Sequence, residues 1–364
     1  MDRRTFLLGC GGCPLLPGRF ARPAPGTEEG GLWAYMDREE RRLQRSPFVV
    51  RDPELNAYVR GIACRLAGEH CPDLRVYIVR DARFNAAMAP NGMLQVWTGL
   101  LVRMSNEAQL AAILGHEIGH YVARHGLERL REAKERSAVG QILGIGLSLA
   151  AVLGGAINSL AQVALTAGGL AYRREQEREA DRIGVELMAH AGYAPREAAR
   201  VWAQLLEEAK AEHARPEASV LFATHPAAAE REELLAEAAK EFPQGDARGE
   251  TYLRALAPHR RTLLREELLR GHLGETLVLL ERLPLDGEVL FFKGEAHRMR
   301  QELNQAIAAY RAAEEHESFP AELYRAKGLV HRRLGQTEEA AQAFARYLER
   351  APRAPDAELI RTYL

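Results

Sequence analysis

Two histidines and a glutamate at residues 116–120 have the types and spacing needed to activate a water molecule. The segment reads His116-Glu117-Ile-Gly-His120. Residues four apart share one face of a helix, so both imidazoles can bind one metal ion while Glu117 reaches a water held there. Zinc lowers the pKa of such a water to about 7, and a carboxylate can take its proton. The spacing predicts a zinc hydrolase acting on peptide bonds, with Glu117 as general base.

The flanking residues predict the helix that this arrangement requires. Asn106, after Ser105, can serve as the N-cap, with Gln109 three residues later. The apolar positions then follow a helical stripe through Leu110, Ile113, Leu114 and Ile118. The pentapeptide also fits a helix with two ordinary histidines, so a metal site depends on finding a third ligand.

The third ligand is sought on a later helix, because a catalytic zinc keeps one position for water and takes three protein ligands. A metzincin would place a third histidine at residue 126, which is glycine. The segment Tyr172–Met188 offers Glu177, with Asp181 one turn later. Glu177 could bind the metal while Asp181 orients an imidazole. Periodicity leaves a second interpretation open, a solvated charged face formed by Glu175, Glu177 and Glu179.

Taken together, residues 50–235 resemble the zinc endopeptidases of the HtpX and BepA type, relatives of the CAAX prenyl proteases. Glu177-Arg-Glu-Ala-Asp181 is similar to the second metal-binding element of that family, and the resemblance implies Glu177 as third ligand with Asp181 behind the site. Thr224-His225-Pro226, with Arg231 six residues later, resembles the family's Thr-His-Pro signature. The resemblance implies a zinc endopeptidase with one Zn²⁺ per chain, and Arg231 as a further residue supporting the ligands.

His225 has two functional interpretations. It could donate to the oxyanion during the reaction, or occupy the fourth position of the zinc as a latch, which the regulated members of the family favour. Without the resemblance it would be read as a surface-loop histidine. Two other histidines have structural interpretations. His125 lies five residues after His120 and hence about 140° round the helix, off the metal face, so packing or a helix-end charge is expected for it. His190 is expected as a cation at a helix end before Gly192.

A short strand is expected ahead of the active-site helix. The run Met93–Trp97 follows an Asn91-Gly92 turn and resembles the family's hairpin. If this strand lies at the edge of its sheet, its free backbone groups can pair with an extended peptide. Substrate-binding residues on that interpretation are Met93, Leu94, Gln95 and Val96. An interior strand is the alternative.

The N-terminus predicts export. Arg3 and Arg4 precede a weakly apolar stretch, and Leu7-Leu8-Gly9-Cys10 is similar to a lipoprotein box. A lipid anchor on Cys10 and plain cleavage of the signal both remain open. Either outcome places the chain in the periplasm or cell envelope.

Cys64 and Cys71 remain after signal removal, and an oxidising compartment would permit a bridge. Seven residues of unbroken helix span about 10 Å, so the pair can join only if Gly68 ends the helix. Two free cysteines are therefore expected.

The stretch from Ser137 to Tyr172 contains no charged residue. Its many small residues and scattered polar ones argue against a membrane-spanning helix, which remains the alternative. Two glycine-rich helices are expected, which could form a flap over the site or a surface that associates with the membrane.

The C-terminal part repeats itself with a period of 34 residues. Small and large packing positions of a tetratricopeptide helix pair align in two copies, and Pro352 closes the second. The aligned pairs are Leu290 with Tyr324, Gly294 with Gly328, His297 with His331, Ala306 with Ala340, and Tyr310 with Phe344. A degenerate copy is expected at 251–283 and a capping helix near 357–364. Such repeats bind peptides or protein partners, or serve only as a buttress.

The whole chain is expected to be mainly α (α+β). We expect a signal at residues 1–26, a gluzincin-like zinc protease domain with a small β-sheet at 27–245, and a helical tetratricopeptide-repeat solenoid at 250–364. A net charge of -1 over 364 residues argues against nucleic-acid binding. The predicted function is cleavage of polypeptides in envelope quality control. The alternative is a repeat-based chaperone or scaffold whose zinc site is latched or inactive.

Overall fold

The computed structural model describes residues 18–129, 173–212 and 228–364. Within these residues the chain is mainly helical and has one three-stranded sheet, which confirms the expected mainly α (α+β) class. The chain divides into two compact units, Met1–Leu206 with Arg215–Pro258, and Glu207–Ala214 with His259–Leu364. The expectations for Cys10, for the uncharged stretch 137–172 and for His225 lie outside the described residues.

The first unit surrounds a small sheet with helices. Its described elements, in chain order, are α1 (Glu28–Arg45), α2 (Pro53–Ala67), β1 (Arg75–Val79), β2 (Ala86–Met88), β3 (Met93–Trp97), α3 (Thr98–Arg103), α4 (Glu107–Val122), α5 (Arg174–His190), α6 (Glu197–Ala211, whose last residues belong to the second unit), α7 (Ala228–Ala238) and α8 (Gly249–Leu256). Polar side chains cap the N-termini of several of these helices. Thr27, Asp52 and Asn106 each accept a hydrogen bond from a backbone N–H of the first turn. No described helix is both long enough and apolar enough to span a bilayer.

The sheet has the strand order β1-β3-β2. β3 runs parallel to β1 and antiparallel to β2, and the hairpin between β2 and β3 turns at Gly92, whose φ of 88° favours glycine. The predicted strands at 74–79 and 93–97 and the Asn91-Gly92 turn are confirmed.

β3 is an interior strand, so the edge position needed for peptide pairing is not found there. Its backbone groups are used by neighbours on both sides, and Met93, Leu94, Gln95 and Val96 are all buried. The sequence did not indicate that another strand covers β3, because β2 has only three residues, too few to give a strand pattern.

Cys64 and Cys71 form a disulfide, with their Cα atoms 4.6 Å apart. The expectation of two free cysteines is therefore wrong. α2 ends at Ala67, Gly68 takes a positive φ of 53°, and a 3-10 helix over Gly68–Asp73 carries Cys71 back toward Cys64. Because the helix breaks at Gly68, the two cysteines come close enough for a disulfide, which an unbroken helix would not allow.

The second unit contains paired helices. They are α9 (Arg260–Leu269), α10 (Leu273–Arg282), α11 (Gly287–Met299), α12 (Leu303–Glu314), α13 (Glu322–Arg333), α14 (Thr337–Arg350) and α15 (Ala357–Arg361). Gly294 lies against the Tyr310 ring and Gly328 against the Phe344 ring, so closely that an added Cβ would be 2.3 Å and 2.5 Å away. These equivalent contacts lie 34 residues apart, as the repeat predicts; the tetratricopeptide assignment itself remains a prediction.

Candidate metal centre

The active-site helix α4 is buried along its whole length. At its start, Asn106 Oδ1 accepts from the Gln109 backbone N–H at 2.9 Å, and Gln109 Oε1 accepts from the Ser105 N–H at 2.8 Å. The predicted helix start is thus confirmed. A helix enclosed on all sides holds His116, Glu117 and His120 in fixed directions.

α4 and α5 approach closely because small residues meet at their crossing. A Cβ on Gly119 would lie 2.7 Å from the Ala180 carbonyl oxygen, and one on Gly115 would lie 3.1 Å from that of Gly184. A side chain at Gly119 would force the two backbones apart, and one at Gly115 would make a contact tighter than most Cβ atoms have. The crossing brings the two histidines of α4 next to Glu177 of α5.

Three side chains then converge on one point. The Nε2 atoms of His116 and His120 are 3.1 Å apart, and Glu177 oxygens lie 3.6 Å from the first and 3.3 Å from the second. Tetrahedral zinc with ligand bonds near 2.1 Å needs donor separations of about 3.4 Å. All three residues are buried. Among the described residues, they form the group of side chains that could hold a metal ion. Two imidazoles and a carboxylate fit zinc.

Asp181 and Arg231 contact two of these three candidate ligands from behind. Asp181 Oδ1 is 2.9 Å from His116 Nδ1, and Arg231 Nε donates to Asp181 Oδ2 at 2.8 Å. Arg231 Nη1 also lies 2.9 Å from Glu177 Oε2, and its guanidinium covers the Trp202 ring at 3.9 Å. Burial alone would raise the pKa of Asp181, but the charge of Arg231 and the contact with His116 hold that pKa below its usual value. Ionised Asp181 can therefore accept the His116 Nδ1–H, which turns Nε2 toward the metal position.

Glu117 points from α4 to strand β2. Its Oε2 accepts the Met88 backbone N–H at 3.0 Å, and the side chain is buried. Glu117 is thus oriented by a fixed backbone donor, beside the group formed by His116, His120 and Glu177 but outside it.

The sequence profile described as peptidase family M48 matches residues 49–239. The chain belongs to peptidase family M48. A putative beta-barrel assembly-enhancing protease of Vibrio cholerae is 27% identical over 259 residues, covering 66% of this chain and 53% of that protein. The beta-barrel assembly-enhancing protease of Escherichia coli is 29% identical over 195 residues, 51% of this chain and 39% of that protein. Mitochondrial metalloendopeptidase OMA1 of Arabidopsis thaliana is 32% identical over 166 residues, 45% of this chain and 31% of that protein. The chain spans about half or less of the length of these relatives.

Family membership confirms the resemblance drawn from the sequence, and it agrees with zinc as the metal for the buried donor set. The structure also separates the three candidate glutamates of α5. Glu177 is buried beside the histidines, Glu175 is exposed, and Glu179 extends to His125 at 3.2 Å. The exposed charged residues and the candidate ligand Glu177 are therefore different residues of one helix. His190 is the last residue of that helix, as expected.

The contact of His125 with His120 is not predicted by the sequence. The prediction placed it away from the metal ligands on the assumption that the helix continues, but α4 ends at Val122 and Arg124 takes a positive φ of 59°. The resulting turn brings His125 back, so that its Nδ1 is 2.9 Å from Nδ1 of His120. Nothing in the local sequence pattern indicates this reversal.

Proposed function

We propose that this chain is a zinc-dependent endopeptidase that cleaves polypeptides in the cell envelope. The observation that carries the proposal is the buried convergence of His116, His120 and Glu177, with Glu117 held beside them. The relatives named as beta-barrel assembly-enhancing proteases and metalloendopeptidases support the same activity. Protein quality control is the setting that these relatives favour.

The chemistry divides between the metal and the chain. Bound Zn²⁺ would polarise the scissile carbonyl and acidify a water molecule. His116, His120 and Glu177 would hold the metal, and Glu117 would take the proton from the water at its carboxylate and later give it to the leaving amine nitrogen. Asp181 keeps His116 in the required tautomer, while Arg231 connects Asp181 with Glu177.

The peptide path is proposed to follow β2 instead of β3. Met88, on β2, contacts Glu117 directly, so this strand lies next to the proposed general base. Ala89 N–H donates to Met93 O within the hairpin, at 2.8 Å. Because pairing directions alternate along an antiparallel strand, the backbone groups of Ala86 and the carbonyl group of Met88 point away from β3, while the Met88 N–H already donates to Glu117. An extended substrate aligned with β2 would be held by its backbone, which suits broad sequence tolerance.

His225 is proposed to act at the same centre. Arg231 contacts Asp181 and Glu177, and His225 precedes it by six positions, which span at most about 22 Å. That reach allows His225 to meet the fourth zinc position or a developing oxyanion. We favour the latch.

The envelope location rests on two independent features. A disulfide joins Cys64 and Cys71, and such bonds persist mainly in oxidising compartments. The paired arginines at the N-terminus are typical of an export signal, with Cys10 as a candidate lipid anchor. We propose a signal at 1–26, a protease domain at 27–245 and a tetratricopeptide domain at 250–364 that binds a protein partner.

One experiment tests the activity. The full-length chain is analysed for zinc and assayed on casein beside two variants. Glu117→Gln removes the proposed general base, and Glu175→Gln changes an exposed residue of α5 and is the matched control. We expect one zinc in all three proteins, and at least about a 100-fold loss of cleavage in Glu117→Gln alone. Equal cleavage by Glu117→Gln would exclude this mechanism. Stoichiometric zinc without cleavage by the unaltered chain, with and without His225→Ala, would favour the chaperone or scaffold.

A further inference from the structure

We propose that His125 and Glu179 position His120 as a metal ligand and thereby set the affinity of the site for Zn²⁺. We call these two residues the His125–Glu179 pair. The inference rests on the proposed zinc site, because it assigns a role to residues that contact one of its ligands. It concerns metal binding and not the cleavage step.

The direction of each hydrogen bond follows from the role of His120. Its Nε2 faces His116 and Glu177, so this nitrogen must keep its lone pair to bind a metal. The proton of the neutral ring is then on Nδ1, which lies 2.9 Å from His125 Nδ1. His120 therefore donates, and His125 accepts.

The hydrogen bonding continues from His125 to Glu179. Because His125 accepts at Nδ1, its own proton is on Nε2, and Glu179 Oε2 lies 3.2 Å from that atom. His125 Nε2–H therefore donates to Glu179 Oε2. This hydrogen bond fixes the tautomer of His125 and, through His125, that of His120. No proton changes place along the chain of contacts, so the pair orients the ligand without taking part in acid-base chemistry.

Backbone geometry holds the pair in place. Arg124 in the left-handed region turns the chain directly after α4, and His125 is only 2% exposed. Glu179 belongs to α5, the helix that also carries Glu177. His125 cannot itself bind the same ion, because it contacts the ring of His120 on the side opposite Nε2.

The two histidine ligands thus have different supports. His116 faces the buried charged pair of Asp181 and Arg231, whereas His120 faces a neutral imidazole whose carboxylate partner is half exposed. Outer partners of metal-bound histidines typically account for about 10–100-fold in metal affinity. We assign a contribution of that size to His125.

The test measures Zn²⁺ binding to the full-length chain by competition with a chromophoric chelator, and the visible spectrum of the Co²⁺-loaded protein. Four variants are compared. His125→Leu removes the acceptor, His125→Asn keeps an oxygen near the position of Nδ1, Glu179→Gln weakens the outer contact, and Glu175→Gln is the exposed control on α5.

We expect His125→Leu to weaken Zn²⁺ binding by about 10–100-fold and to alter the Co²⁺ spectrum. His125→Asn should recover most of the affinity, Glu179→Gln should lose less than His125→Leu, and Glu175→Gln should match the unaltered chain. Wild-type affinity in His125→Leu would overturn the proposal. Equal losses in His125→Leu and His125→Asn would also overturn it, because they would show a packing role.

Two safeguards keep the result interpretable. If His125→Leu is unfolded, as judged by circular dichroism of the metal-free protein, the other two variants decide. Retained Zn²⁺ affinity in His125→Asn together with a loss of affinity in Glu179→Gln supports the role of the His125–Glu179 pair. Any other pattern overturns it. Because affinity is measured without substrate, a chain that binds zinc in this way but cleaves nothing would contradict the proposed function and leave the inference standing.

Discussion

Gly184 of α5 lies directly against the backbone of His116, the first proposed ligand. A Cβ on Gly184 would be 2.9 Å from the His116 backbone nitrogen and 3.1 Å from the Gly115 carbonyl carbon. Both contacts are with backbone atoms, which cannot rotate away. The spacing between α4 and α5 is therefore set by the absence of a side chain at Gly184.

Gly184→Ala should separate the helices and weaken both the fold and the metal site. We expect a loss of about 1–3 kcal/mol in the free energy of unfolding and weaker Zn²⁺ binding. Urea denaturation and chelator competition measure these two effects. The control is Gly61→Ala in α2, where nothing lies within 4 Å of the added Cβ, and the helix should gain about 0.5–1 kcal/mol. Equal stability in both variants would contradict the packing argument.

Glu177→Ala should remove a metal bond. We expect its Zn²⁺ affinity to fall by more than the roughly 100-fold typical of outer-partner changes, together with a loss of cleavage. Glu175→Ala, two residues earlier and exposed, is the matched control. Metal analysis after dialysis gives the stoichiometry. Unchanged zinc affinity in Glu177→Ala would show that the third ligand is another residue.

His225→Ala distinguishes a latch from an oxyanion donor, because the two roles predict opposite signs. Loss of a latch frees the fourth position for water, so basal cleavage of casein should rise; this is the result we expect. Loss of an oxyanion donor should lower kcat by about 100-fold or more. A rate equal to that of the unaltered chain would show that His225 has neither role.

Replacing both Cys64 and Cys71 by serine should lower the free energy of unfolding by about 2 kcal/mol, since the bridge closes a short loop. Urea denaturation with and without reductant gives the measurement. Reductant should destabilise the unaltered chain by a similar amount and leave the double variant unchanged. Two more titratable thiols in the denatured, unreduced chain than in the double variant would instead show that the bridge is absent.

Glu107, at the first turn of α4, should contribute stability that is lost in acid. Burial raises the pKa of its carboxyl, but hydrogen bonds from Tyr193, Tyr58 and Arg248 and the charge of Arg65 outweigh burial and hold that pKa below its ordinary value. Because the folded pKa is the lower one, the contribution is complete above the unfolded value of about 4.3 and disappears as the pH falls through the folded value.

Glu107→Gln should therefore be less stable than the unaltered chain at pH 7, by about 1–3 kcal/mol for the weakened buried network. The difference should shrink as the pH falls below about 4. Urea denaturation of both proteins from pH 7 to pH 3 provides the measurement. A difference that stays constant over this range would show that the ionised carboxylate does not account for the effect.

Several features could be predicted from the sequence because they depend on neighbours within one or two turns. The shared face of His116 and His120, the helix start at Asn106 and the Asn91-Gly92 turn all follow from local geometry. The 34-residue period likewise aligned Gly294 with Gly328 and Tyr310 with Phe344, the residues that make equivalent contacts in the two helix pairs. Local hydrogen bonding and side-chain spacing are sufficient for such features.

Other features were decided only by tertiary structure. β3 lies between two strands because the short strand β2 covers it. The return of Cys71 to Cys64 and the contact of His125 with His120 each depend on a single left-handed residue. Neither a three-residue strand nor one such residue leaves a periodic signal in the sequence. Arg231 reaches Asp181 across 50 positions of sequence. Contacts of this kind depend on how helices pack against one another, and the packing is set by the joint fit of backbones and side chains that are distant in the sequence.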